Sequence, residues 1–334
     1  MKRTLLALSI FLLTALLLSG CGTKSTVGTA QQSNSGHQAT EIRIGTQVGP
    51  HYAPLFVVKE KKWLEDEFSK IGVTVKWVPF AAGPPMNEAL AAGQLDLGFM
   101  GDSPAIIAKS AGQDNSIIAI ASRAPQGLAV VLSKKSPLNT VQDLKGKKVG
   151  VVVGSYGHHL LALVLQKNGL SLSDVQVINL PHTDIPTALD KGDIDAGVIW
   201  EPLITQLQDK DAIRILADGT GLKKGEIVLV ARNAFAETNP QLIDIFLKTY
   251  LRGYDFVKQN SQESASLITP DVKLDASQLA RVMSKFDYNP VIQDDDITEL
   301  KATTQFMKDN SLIKTPVDID HFIDRSYEKQ AGIL

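Results

Sequence analysis

The sequence predicts an α/β protein of two similarly built lobes, each a mainly parallel sheet flanked by helices, with two crossing segments between them. Three observations carry that expectation. The first is a repeat. ALAAGQLDLGFMGDSP at residues 89–104 returns in weaker form as ALDKGDIDAGVIWEP at residues 188–202. Gly93 answers Gly192, Asp96 answers Asp195, Gly98 answers Gly197 and, more loosely, Pro104 answers Pro202. Upstream, VKWVP at 75–79 answers VINLP at 177–181, and Val149-Gly150 stands where Ile44-Gly45 stands. Strand–turn–helix units share such features in general, but ordered matches at one offset point to two related lobes. The second observation is the alternation, from Glu41 onward, of short apolar runs with helical patterns. That alternation builds parallel sheets covered by helices. The third is an apolar run at residues 128–133 with no helix before it. It reads as a strand that crosses from one lobe to the other.

Taken in order, residues 1–21 are a leader. Lys2 and Arg3 form a positive start, and residues 4–18 are an apolar run too short to span a bilayer comfortably. The run ends in Leu18-Ser19-Gly20-Cys21, which resembles the bacterial lipobox, where the Cys is lipidated and becomes the mature N-terminus. The alternative is an ordinary secretory signal with an incidental Cys. Residues 22–40 hold almost no large apolar side chain, so they read as a flexible tether. A lipid on Cys21 followed by such a spacer suits an extracytoplasmic domain held at the cell membrane.

Residues 41–127 form the first part of lobe 1. Strands are expected at 42–45, 73–78, 95–99 and 117–122, and helices at 54–68, 85–92 and 104–111. Leu55, Val58, Trp63 and Phe68 recur at helical spacing. Residues 128–231 form lobe 2, with strands at 128–133, 149–153, 175–180, 196–199, 213–216 and 227–231. Helices fall between them at 158–167, 185–191 and 202–207. Residues 232–334 are helical, at 240–259, 263–268, 276–286, 294–309 and 318–330, and return to pack on lobe 1. The chain then crosses between lobes near Gly127 and near Ala231, and two crossings make a hinge.

Composition narrows the function. The 334 residues are 44% apolar with net charge −2, so no basic surface argues for nucleic acid. Cys21 is the one Cys, which excludes an internal disulfide and a Cys metal site. His51, His158 and His159 lack the spacing of a metal cluster. No P-loop, H-E-x-x-H or G-x-S-x-G occurs, although Gly154-Ser155-Tyr156-Gly157 comes near the last. Binding is favoured over catalysis, with no catalytic residue, metal or cofactor expected.

In open parallel sheets a ligand sits beyond the carboxyl ends of the strands. Those ends are residues 46–52, 81–85, 101–104, 154–158 and 200–202. They supply Gln47, His51, Tyr52, Gly83, Pro84, Gly101, Asp102, Ser103, Gly154, Ser155, His158, Trp200 and Glu201 as candidate ligand-binding residues. Gly lets backbone approach a ligand, Pro suits a first helical turn, and free N–H groups there favour an anion. Ser103 and Ser155 either cap helices or reach the ligand, or both. Tyr52, Met100 and Trp200 offer apolar surface. Glu201 either meets a cationic ligand group or is a solvated or capping carboxylate. Arg123, at the end of the fourth strand, either meets an anion or serves the surface or hinge.

Four stretches carry a resemblance to a known family. They are PFAAGPPMNEALAAGQLDLGFMGDSPAI, DLKGKKVGVVVGSYGHHLL, GDIDAGVIWEP and ILADGTGL. Through them the chain, from about Ile42 to its end, resembles the periplasmic-type substrate-binding proteins of ABC importers. Within these it is most similar to those for aliphatic sulfonates, beside those for taurine and nitrate. The resemblance implies a type II periplasmic-binding-protein fold that closes on ligand, a monomer, and a permease and ATPase as partners. It also puts the pocket turns at Gly83-Pro84-Pro85, Gly101-Asp102-Ser103-Pro104, Gly154-Ser155 with His158, and Trp200-Glu201. The pair His158-His159 departs from its usual pattern, as does the first turn Pro50-His51-Tyr52, which varies across the family, and both positions flank the ligand. The expected ligand is a small alkanesulfonate. The alternatives are taurine, nitrate, a thiamine-precursor pyrimidine, or enzymatic action on the same fold, against which the export signal argues.

Overall fold

The computed structural model describes residues 39–334. The leader, Cys21 and most of the expected tether lie outside them. The tether's last two residues already belong to the folded unit: Ala39 donates its N–H to Asn239 Oδ1 at 2.9 Å and packs on the core.

Among the described residues, ten strands form two five-stranded sheets. The first holds β1 (Glu41–Gln47), β2 (Thr74–Phe80), β3 (Leu97–Gly101), β4 (Asn115–Ser122) and, from far along the chain, β10 (Ile227–Arg232). The second holds β5 (Leu128–Ser133), β6 (Lys148–Val151), β7 (Gln176–Asn179), β8 (Ala196–Trp200) and β9 (Ile213–Asp218). Strand order is β2-β1-β3-β10-β4 in one and β7-β6-β8-β5-β9 in the other. The two orders are the same pattern. In each sheet a single antiparallel strand, β10 or β5, is inserted between parallel neighbours. Each inserted strand is the one that follows a crossing.

This corrects one expectation. Residues 227–231 read as a strand of lobe 2, but β10 lies in the lobe 1 sheet, paired to β3 and β4. The second crossing therefore falls at residues 219–226, before that strand. The two crossings bond to each other: Ala124 N–H to Lys224 O and Gly219 N–H to Pro125 O, both at 2.8 Å. They run as one narrow ribbon.

The repeat has a physical cause. Gly45 pairs with Gly98 in lobe 1, and Gly150 pairs with Gly197 in lobe 2. A Cβ at Gly98 would lie 2.9 Å from Met86 Sδ, and one at Gly197 only 2.4 Å from Ile185 Cγ2. The helices Gly83–Ala91 and Ile185–Lys191 sit so close on their sheets that the strands beneath must lack side chains. Gly93 and Gly192, at φ 65° and 76°, turn the chain out of those helices.

The helix expected over 54–68 is broken into Ala53–Glu60 and Trp63–Ser69, because Lys62 takes a left-handed conformation between them. The long helices Pro240–Gln259 and Asp294–Asp309 cover lobe 1, one on each of its two apolar clusters. The stretch 318–330 forms two short helices, Ile319–Phe322 and Ser326–Ala331, in place of one.

Candidate functional site

Between the two sheets lies a cavity of about 380 Å³. Its walls come from the carboxyl ends of β1, β2 and β3 on one side, and of β6, β7 and β8 on the other. Of the residues the sequence singled out, Gln47, His51, Tyr52, Gly83, Pro84, Gly101, Ser155 and Trp200 line it. The glycines are close-approach positions. A Cβ at Gly83 would meet Pro104 Cγ at 2.6 Å, and one at Gly101 would meet the Tyr156 ring of the opposite lobe at 3.4 Å. Gly83 opens a helix whose next two residues are Pro84 and Pro85, so that turn offers fewer N–H donors than its position implies.

Ser155 both caps and faces the cavity. Its hydroxyl oxygen accepts the His158 N–H at 3.3 Å, which leaves its proton to donate inward. Gln47 Nε2 is held by Phe99 O at 2.8 Å.

Six candidates lie behind the walls. Asp102 and Ser103 are fully buried, Asp102 against Lys223 and Ser103 bonded to Asp102. Arg123 is not on this wall, because its guanidinium is spent on Asp296 and on the carbonyls of Asn289 and Val291. Glu201 is fully buried and caps its own helix. It accepts from Thr205 N at 3.1 Å, Thr205 Oγ1 at 3.0 Å and Lys285 Nζ at 2.7 Å. Gly154, at φ 81°, turns the chain into the following helix, and its N–H points at His158 Nδ1 at 3.4 Å. His158 itself stays on that helix, edge-on to Phe306. Met100, expected at the cleft, is in the lobe 1 core.

An aromatic array spans the site. His182 stacks on Trp200 at 3.7 Å and 9°, and Trp200 leans on Tyr156 at 5.3 Å. The Tyr156 hydroxyl reaches His51 Nε2 of the other lobe at 3.2 Å. His51 abuts the Phe286 ring edge-on at 4.9 Å. His182 Nε2 accepts the Trp200 N–H at 3.1 Å, so its proton sits on Nδ1. Burial holds both histidines neutral: first desolvation and then the facing His182 lower His51 to about 3, and desolvation lowers His182 to about 4. Sequence reading missed Tyr156, His182, Thr183 and Lys273, all on the wall. Tyr156 stood one residue from Ser155 and was legible. His182 and Thr183 follow β7, whose end carries no glycine to mark it as a close-approach turn. Lys273 comes from the returning helices, which no strand-end rule reaches.

The electrostatics are simple. Among the described residues, the wall carries Lys273 as its one Lys or Arg and no Asp or Glu. Lys273 is tied to the other lobe, since its carbonyl accepts from Gln206 Nε2 at 3.2 Å. Apolar side chains, among them Phe80, Val152, Leu203 and Ile227, make up most of the remaining surface. Such a cavity suits a small monoanion with a carbon tail.

Comparison with known proteins shows the family and the fold. Residues 49–264 match the family model described as NMT1/THI5 like. A Bacillus subtilis (strain 168) protein, named as an aliphatic sulfonates-binding protein, is 33% identical over 94% of this chain and 93% of its own length. The periplasmic aliphatic sulphonate binding protein SsuA of Escherichia coli superposes with a TM-score of 0.76. It is 29% identical, over 86% of this chain and 98% of that one. The alkanesulfonate-binding protein SsuA of Xanthomonas axonopodis pv. citri, bound to MOPS, superposes at 0.80 with 27% identity, over 86% and 99%. These relatives are binding proteins by name, and the fold they share is the two-lobed periplasmic-binding-protein fold.

Proposed function

The chain belongs to the NMT1/THI5-like family, and from that premise we propose that it is an extracytoplasmic binding protein that captures a small organosulfonate for an ABC importer. The observation that carries this is the composition of the cavity wall: one lysine, neutral donors and no Asp or Glu among the described residues. A sulfonate brings one negative charge and three acceptor oxygens. Lys273, Ser155 and the imidazole N–H of His182 are of the kind that meets it. Sulfate brings a second charge whose desolvation has no matching cation. Taurine brings an ammonium, and Glu201, one of the carboxylates adjacent in sequence to the wall, is already spent on Lys285 and Thr205. Each buried methylene of an alkyl tail adds about 0.8 kcal/mol. The relatives are named for sulfonates, and one holds MOPS, a propanesulfonate with a ring tail. Cys21 would anchor the chain by lipid, and the partners would be a permease and its ATPase.

Calorimetry on the chain with Cys21→Ser tests the reading. Ethanesulfonate and MOPS are expected to bind, taurine more weakly and sulfate poorly. Lys273→Ala is expected to weaken ethanesulfonate two- to tenfold, a modest loss because Lys273 is solvent-exposed. Sulfate binding as tightly as ethanesulfonate, or no binding of either sulfonate, would overturn it.

A further inference from the structure

The turn Gly101-Asp102-Ser103-Pro104 is divided between two tasks. Gly101 and Pro104 face the cavity. Asp102 points the other way, fully buried. Its Oδ2 accepts from Lys223 Nζ at 2.6 Å and Thr303 Oγ1 at 2.8 Å. Its Oδ1 accepts from the Ser103 N–H at 2.6 Å and the Ser103 hydroxyl at 3.1 Å. Lys223 is also fully buried, and bonds Glu299 at 3.2 Å and Thr303 Oγ1 at 3.3 Å.

Lys223 belongs to the second crossing. Its neighbour Lys224 reaches Asp295 at 2.5 Å and Asp296 at 3.1 Å. On the first crossing, Arg123 bonds the same Asp296 through Nε at 2.7 Å and through Nη2. Three cations, carried by both crossings, thus converge on the first turns of one helix, Asp294–Asp309. The acidic residues sit where the helix dipole favours them. Burying charges costs more than their attraction returns unless geometry is good, and apolar replacements are often as stable. Stability alone does not call for such a cluster. A hinge ribbon held at one angle does.

We propose that Asp102 is a positioning residue, which ties the cavity wall to the second crossing through Lys223. With Arg123 and Lys224 gripped by the acidic helix start, this network sets the angle at which the lobes meet. The consequence for affinity rests on the sulfonate reading, but the hinge geometry does not.

The test uses the full chain with Cys21→Ser and spin labels on Lys76→Cys in lobe 1 and Lys191→Cys in lobe 2, both exposed positions. Interlobe distances are measured without ligand, with Asp102→Asn and Lys223→Met introduced together so that neither member of this ion pair is left charged without the other. The distance distribution is expected to broaden or lengthen, and ethanesulfonate affinity to fall at least tenfold, with no cavity-lining residue changed. Glu299→Gln, at the rim of the cluster, should move the distribution the same way by less, and decides the matter if the double variant does not fold. A lowered melting temperature with an unchanged distribution would overturn the proposal. If ethanesulfonate fails to bind the parent chain, the functional reading falls, while the ligand-free distances still judge the hinge.

Discussion

Lobe 1 and lobe 2 share a strand order, a glycine pair and an aspartate, yet the shared aspartate lives in two different environments. Asp96 and Asp195 make the same local link. Each accepts a backbone N–H from a neighbouring parallel strand, β1 or β6, from Arg43 and from Lys148, at 2.9 Å. Each returns its own N–H to that residue's carbonyl, at 3.0 and 2.8 Å. Around Asp96, however, Arg43 and Arg232 both close in at 2.7 Å, and the carboxylate is fully buried. Asp195 is half-buried and meets no cation among the described residues. The reason lies in the chain path. Arg232 ends β10, the strand that lobe 1 receives only after lobe 2 is complete. A repeated residue therefore keeps its backbone role and acquires different electrostatics from what returns to cover it.

That contrast is open to direct attack. Asp96→Ala strands two arginines, each about a quarter exposed, around an emptied buried site, and is expected to cost about 3 kcal/mol. Asp195→Ala removes one backbone hydrogen bond and should cost about 1 kcal/mol. Urea unfolding of the two variants measures both. Equal losses would mean that the arginines contribute nothing.

The glycine pairs sharpen the comparison at a smaller scale. At Gly197 an added methyl would press on branched Ile185 at 2.4 Å, whereas at Gly98 it meets the flexible end of Met86 at 2.9 Å. Gly197→Ala should cost about 2–3 kcal/mol and Gly98→Ala under about 1 kcal/mol. Thermal unfolding that ranks them the other way would show that the lobe 1 helix, not the lobe 2 helix, is the more tightly seated.

The smallest effect is expected where the lobes face each other. His51 of lobe 1 and His182 of lobe 2 are held neutral to about 3 and about 4. Their folded values lie below the unfolded one, so the unfolded chain takes up protons that the folded chain refuses. Stability is whole above about pH 6.5 and declines as pH falls toward those values. Between pH 7 and pH 6 each histidine should remove about 0.7 kcal/mol. His158 and His159, lowered by burial, act in the same direction. Melting curves of the His51→Gln and His182→Gln variants isolate the two: each should flatten the acid limb, and neither doing so would place the proton uptake elsewhere.

Much of this protein was legible from residues alone. Periodicity identified strand after strand, since alternation between apolar runs and helical spacing is a local property. Residues 128–133, 185–191, 240–259 and 294–309 took the predicted form to the residue. The repeat was legible because close helix–sheet packing demands glycine at the same register in both lobes. The place of the cavity followed too, because strand ends in parallel sheets open onto one edge. Tertiary structure decided the rest. Residues 227–231 read correctly as a strand, but which sheet they join depends on which edge awaits a partner, and that is a non-local fact. Asp102, Arg123 and Glu201 read either as polar groups near the ligand or as capping, surface or hinge groups, while the residues that decide between these, Lys223, Asp296 and Lys285, come from elsewhere in the chain. A charge in a sequence announces that it needs a partner; only the folded chain brings one within 3 Å of it.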